Sequence, residues 1–80
     1  MMKLRIRYFA AYREAVGTDE ETVETSAHTA DALFSECIAR HEGLKSNDAA
    51  LVAINDEMAD WQTPLNEGDD VLFFPPVAGG

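Results

Sequence analysis

A chain of 80 residues, 46% of them apolar and with a net charge of −9, has room for one thin-cored domain and too much apolar content to remain unfolded. The negative charge argues against a phosphate backbone as partner, and no apolar run is long enough to span a bilayer. A single cysteine, Cys37, rules out an internal disulfide and fits a reducing cytoplasm.

The first segment, "KLRIRYF", alternates. Leu4, Ile6 and Tyr8 share one face, and Lys3, Arg5, Arg7 and Phe9 share the other, as in a half-buried strand. Charges at Lys3, Arg5, Arg7 and Arg13 break up the N-terminal region, so it does not read as a secretory signal, and a cytoplasmic location is expected. "AAYREAV" supplies one or two helical turns closed by Gly17. "EETVETS" reads as a polar strand antiparallel to the first, with Glu20, Glu21 and Glu24 expected to face its basic side. Thr29 is placed to cap a longer helix, with Asp31 in its first turn. Ala30, Leu33, Phe34, Cys37, Ile38 and His41 then form one stripe, and Gly43 is expected to end the helix. "ALVAIN" is a short apolar strand, Asn55-Asp56 a tight turn and Met58-Ala59 a short return strand. "TPLNEGDD" is a turn, and "DVLFF" is the last strand, with Val71 and Phe73 on one side and Leu72 and Phe74 on the other.

The order is strand, short helix, strand, long helix, then three strands. One long helix covers one face of a small mixed sheet, an α+β arrangement. With the first and last strands adjacent and central, this is the β-grasp architecture of ubiquitin. A ferredoxin-like fold competes, but it needs two full-length helices.

Catalytic groups are scarce. No Ser-His-Asp set stands out. Cys37 and His41 have the spacing of two zinc ligands on a helix but lack partner ligands nearby, so a buried core cysteine is favoured and no metal site is expected. Asp69-Asp70 reads as part of a solvated turn. The exposed apolar residues are more informative. If Leu4, Ile6, Tyr8, Val71 and Phe73 face the helix, alternation puts Phe9, Leu72 and Phe74 on the open face, where Met58 can join them as a docking patch. The competing reading covers these residues with the "DWQT" loop, Trp61 serving as a lid. Charge is uneven as well. From Ser46 onward there are seven acids and no base, which suits a partner with a basic groove as well as it suits simple solvation.

The chain ends "VLFFPPVAGG". Pro75 and Pro76 have no N–H to donate, so they stop the ladder and hold the exit extended. Side chains then shrink to Gly79 and Gly80, giving a tail able to enter a narrow channel. The expected division is a β-grasp domain over residues 1–76 and a flexible diglycine tail over residues 77–80.

"LFFPPVAGG", "YFAAYREAVG", "TADAL" and "PLNEGDDV" together resemble the small subunits of molybdopterin synthase, a family of ubiquitin-like sulfur carriers. The resemblance runs over essentially the whole chain. It implies a carrier that is not itself catalytic and that holds no permanent cofactor. An adenylating enzyme using ATP and magnesium activates the carboxylate of Gly80, and a sulfur donor converts it to a thiocarboxylate. The large synthase subunit, with which a heterotetramer is implied, receives the tail, and the sulfur attacks cyclic pyranopterin monophosphate in molybdenum cofactor biosynthesis. Carried over residue by residue, Gly80 is the sulfur-bearing end and Gly79 threads the channel. Phe9, Met58 and Phe74 make the apolar partner contact, and Arg13 makes a polar one. Leu72, Pro75 and Pro76 complete the expected partner-binding set. A diglycine end also suits a carrier for thiazole or cysteine synthesis, or a ubiquitin-like modifier joined to lysines.

Overall fold

The computed structural model describes residues 1–45 and 49–75. The elements follow in the order β1 (Met2–Tyr8), α1 (Ala11–Val16), β2 (Glu20–Thr25), α2 (Ala30–Arg40), β3 (Leu51–Ile54), β4 (Glu57–Ala59) and β5 (Asp70–Phe74). The strands form one sheet in the order β2-β1-β5-β3-β4, so the first and last strands are adjacent near its centre. They run parallel, with Ile6 beside Val71 and Tyr8 beside Phe73, while the other pairs are antiparallel. This mixed sheet is the expected β-grasp. The ferredoxin-like alternative fails on helix length, since α1 has 6 residues against 11 in α2.

Alternation decides which residues make the core. Leu4, Ile6, Val71 and Phe73 are at most 1% exposed and pack with Leu33, Phe34 and Cys37 of α2. Each large apolar side chain removed from water this way contributes roughly 1.5–3 kcal/mol. Aromatic rings dominate one end of the core. Phe34 lies 4.6 Å from Phe73 between centroids, and the Trp61 ring stacks on Phe73 at 5.9 Å and 8°. Trp61 therefore belongs to the helix side of the sheet, with its Nε1–H donating to the Ala50 carbonyl at 3.2 Å. It is not a lid over the open face.

Both helices end where local chemistry dictates. Gly17 closes α1 at φ 94, in the left-handed region that glycine enters without strain. Thr29 Oγ1 accepts from the Ala32 N–H at 3.2 Å. The loop after β4 satisfies two further free donors of α2, because Ala30 and Asp31 donate to the carbonyls of Thr63 and Trp61. Gly43 does not end α2. The helix stops at Arg40 and is capped by His41 in an extended conformation. Gly43 is small for another reason: a Cβ there would meet the Ala15 carbonyl oxygen at 3.0 Å, so a side chain would push this segment off α1.

Two expectations about acids are corrected. Glu20 lies on the basic side of β1, its carboxylate 2.7 Å from Arg5 Nη2, and Glu24 is opposite Lys3. Glu21 falls between them opposite Ile6, so strand parity turns it toward the helix. There it accepts from the Tyr8 hydroxyl at 2.6 Å, sits 2.8 Å from His41 Nε2, and pairs with Arg40 at 3.5 Å. Asp69 and Asp70 are likewise not a solvated turn. Asp69 is 8% exposed, accepting from Asn55 Nδ2 and the Asn66 N–H, and Asp70 opens β5 against Arg7.

Cys37 is fully buried with its sulfur 3.3 Å from the Tyr8 oxygen, and burial pushes its thiol above the ordinary range. Among the described residues no group of three or more His, Cys, Asp or Glu is arranged to hold a metal ion, and no helix is long and apolar enough to cross a membrane. The expected domain boundary at residue 76 lies outside the described residues.

Glu21 ties β1, β2 and the end of α2 together, and its titration should be visible in stability. Burial pushes its carboxyl up, but the hydrogen bonds from Tyr8 and His41 and the charge of Arg40 outweigh burial and bring it below its ordinary 4.5. A lowered folded value means the contribution is complete above 4.5 and is lost as pH falls through the folded value. Thermal unfolding followed from about pH 6 to about pH 2 should show this acid loss in the native chain. In Glu21→Gln the corresponding part of the loss should vanish, alongside a lower midpoint at neutral pH.

Candidate functional site

The open face of the sheet is assembled by parity and register. On β5 the inward residues are Val71 and Phe73, which leaves Asp70, Leu72 and Phe74 outward. Leu72 lies beside Arg7 on one flank and Ala53 on the other, and Ala53 is in turn opposite Met58. Phe74 is opposite Leu51. Phe9 follows β1, and its N–H donates to the Phe73 carbonyl at 3.2 Å, which keeps the strand alignment for one more residue. The Phe9 and Phe74 rings meet at 5.6 Å with a tilt of 56°.

The result is two apolar rows, Phe9-Phe74-Leu51 and Leu72-Ala53-Met58. Met58 is 62% exposed, Phe9 55% and Leu51 49%, while Leu72 and Phe74 are half-buried. Ala53 is buried although it points outward, since longer side chains flank it. Surface apolar side chains are ordinary when scattered. Here they are adjacent on one face of the sheet, with two aromatics, the composition of a contact surface.

Charged residues occupy the rest of the face, and both of its arginines are ion-paired. Arg5 pairs with Glu20, and Arg7 pairs with Asp70 at 2.9 Å and Asp56 at 3.2 Å. The outer surface therefore divides into a charged part over β2, β1 and the start of β5 and an apolar part over the rest of β5, β3 and β4. The apolar part ends at half-buried Pro75, where the chain leaves the sheet.

Phe9 is aimed by a strained corner. Its carbonyl accepts from the Tyr12 N–H at 3.0 Å, and the next residue, Ala10, has φ 52, a positive value that an L side chain rarely adopts. That corner turns the chain into α1 while leaving the Phe9 ring outward.

Of the expected site residues, the fold brings Phe9, Leu72, Phe74, Met58 and Pro75 together. Arg13 is exposed on α1, with its Nε 3.7 Å from Asp19 Oδ1. Pro76, Gly79 and Gly80 lie outside the described residues. The sequence reading missed Leu51. Its signal was in parity, because a β3 residue opposite Phe74 must share the outward face. That inference requires the β3–β5 register, which a run as uniformly apolar as "ALVAIN" does not reveal. Among the described residues no group of three or more His, Cys, Asp or Glu on this face could hold a metal ion, and what the face presents is mainly exposed apolar side chains.

The family model described as "ThiS family" matches residues 6–80. The chain is 38% identical to the molybdopterin synthase sulfur carrier subunit of Escherichia coli, over 96% of this chain and 99% of that protein. Among solved structures it is similar to subunit 1 of molybdopterin converting factor from Pyrococcus furiosus, with a TM-score of 0.82, 33% identity, and coverage of 96% of this chain and 100% of the other. It is also similar, with a TM-score of 0.68 and 28% identity over 99% of this chain and 100% of the other, to a chain in the Helicobacter pylori complex of subunits 1 and 2 of that factor.

Neighbouring phenylalanines should respond in opposite ways. Phe73→Ala empties a fully buried site and should cost about 3–5 kcal/mol in urea unfolding. Phe74→Ala trims a half-buried outward ring and should cost only about 1 kcal/mol. Equal losses would place Phe74 in the core and dissolve the apolar row around it.

Proposed function

Since this chain belongs to the ThiS family, we propose that it is a sulfur carrier and, more specifically, the small subunit of a molybdopterin synthase. The observation that carries the reading is the apolar strip of Phe9, Phe74, Leu51, Leu72 and Met58, which ends where β5 gives way to the C-terminal "PPVAGG". A surface that grips a partner at the root of a tail fixes where that tail is delivered. The family match extends through Gly80, and the Helicobacter pylori relative is found in complex with a second subunit.

On this reading Gly80 carries the cargo and the folded body is its handle. A carboxylate is a poor electrophile, so it must first be activated. In an activating enzyme the Gly80 carboxylate oxygen attacks the α-phosphorus of magnesium-bound ATP, releasing pyrophosphate and forming an acyl-adenylate. A sulfide-level nucleophile from the sulfur donor then displaces AMP at the carbonyl carbon and leaves a thiocarboxylate. The carrier next docks on the large subunit, with Pro75 and Pro76 in the partner contact and Gly79 passing a narrow channel. The thiocarboxylate sulfur bonds to a carbon of cyclic pyranopterin monophosphate, water then cleaves the resulting acyl C–S bond, and Gly80 returns as a carboxylate for another cycle. On this reading acid–base groups come from the partners, and among the described residues the carboxylates of Asp56 and Asp70 on this face are paired with Arg7. Phe9, Leu51, Met58, Leu72 and Phe74 provide the apolar contact, and Arg13 provides a polar one.

The loaded form is detectable directly. Exchange of one terminal oxygen for sulfur adds about 16 Da, and a thiol-selective tag should place it on the last peptide and distinguish it from oxidation. Purified loaded carrier, mixed with the large subunit and cyclic pyranopterin monophosphate, should yield the dithiolene product. Deleting Gly80 or adding a residue after it should abolish loading while the melting profile is unchanged. Cys37→Ser should lower stability yet still load. Loading without product would assign the carrier to another sulfur pathway, and conjugation to lysines would assign it to protein modification.

A further inference from the structure

Arg7 occupies the outward position beside Leu72, where an apolar side chain would simply have widened the strip. Its guanidinium instead holds two carboxylates from different parts of the chain. Nε lies 2.9 Å from Asp70 Oδ1 at the start of β5, and Nη2 lies 3.2 Å from Asp56 Oδ1. Asp56 is the second residue of the turn between β3 and β4, with an 87% exposed side chain, and Met58 stands two residues further on.

The hairpin needs such a contact. β4 has three residues and a single neighbouring strand, and it carries the most exposed member of the docking strip. Short edge strands of this kind hold their orientation weakly. Asn55 anchors the turn to the start of β5. Its N–H donates to the Asp70 carbonyl at 2.8 Å, its Nδ2 donates to Asp69 at 2.9 Å, and its Oδ1 accepts from the Asp70 N–H at 3.0 Å. Those bonds gather one corner of the turn. The bridge from Arg7 reaches the next residue, Asp56, from β1, across β5, and so ties the hairpin to the strand that leads into Phe9.

We infer that Arg7 is a positioning residue for partner docking: through Asp56 it holds the β3–β4 hairpin so that Met58 is already aligned with Phe74 and Phe9 when the partner arrives. The inference rests on the docking role proposed for the strip. It concerns preorganisation, because a hairpin already held in its bound geometry loses less freedom on association. An exposed ion pair adds little to folding stability, so the effect belongs to binding more than to unfolding.

A double-mutant cycle on affinity for the large subunit tests this, using the full chain with Arg7→Gln, Met58→Ala and both together. Each single change should weaken binding roughly threefold to tenfold, while thermal midpoints stay close to the native value for Arg7→Gln. If Arg7 acts through Met58, the double variant should bind within about twofold of Met58→Ala alone. Multiplicative losses would mean that Arg7 touches the partner itself, and would overturn the inference. So would an unchanged affinity for Arg7→Gln where Met58→Ala is weakened. If neither Met58→Ala nor Phe74→Ala alters affinity, the docking role of the strip fails, a result distinct from failure of the Arg7 step alone. Asp56→Gly, which suits the positive φ of 69 there, removes the outer half of the bridge at an exposed site, and it replaces Arg7→Gln in the same cycle should that variant fold poorly.

Discussion

The parallel pairing of β1 with β5 is the constraint from which the rest follows. It sets Ile6 beside Val71 and Tyr8 beside Phe73, and so commits one face of both strands to α2. Side chains alternate along a strand, so the same pairing pushes Arg7, Leu72 and Phe74 to the other face. A slip of one residue in β5 would exchange Phe73 for Phe74. The core would then have to fit Leu72 where Val71 sits beside Ile6, and the docking strip would lose Phe74 as the ring beside Phe9. Core and contact surface are two readings of one register.

Electrostatics follows the same division. On the outward face, Arg5 and Arg7 are taken up by acids from β2, β5 and the β3–β4 turn. With these arginines paired internally, the net charge of −9 resides in the remaining carboxylates. On the inward face Glu21 joins Tyr8, His41 and Arg40 into a polar clasp at the end of α2. Adjacent glutamates, Glu20 and Glu21, thus serve opposite faces of the sheet, and neither role is written in composition.

The division of labour within the chain is spatial. The helix side supplies stability through a nearly continuous apolar cluster. The open side carries an apolar strip that stops at Pro75. For the carrier role proposed above, such a strip would settle where the C-terminal end is placed. Strain at Ala10 and the bridge from Arg7 act on opposite margins of that surface, one orienting Phe9 and the other the hairpin of Met58.

Periodicity alone was enough to specify the element order, the caps at Gly17 and Thr29, the tight turn at Asn55-Asp56, and the outward set of Phe9, Met58, Leu72 and Phe74. Those features depend on residues within a few positions of one another, or on the two-residue repeat of a strand, so local sequence contains them. Leu51, Glu21, Asp69 and Gly43 were legible only once strands and loops distant in sequence were brought together. Leu51 needed the register of β3 on β5. Glu21 needed β2 aligned on β1 with Ile6 opposite. Asp69 needed Asn55 and Asn66 to enclose it, and Gly43 needed α1 pressed against it. In each case the deciding partner is remote along the chain or lies across a strand pair, and no pattern confined to one segment can encode which neighbour folding will supply.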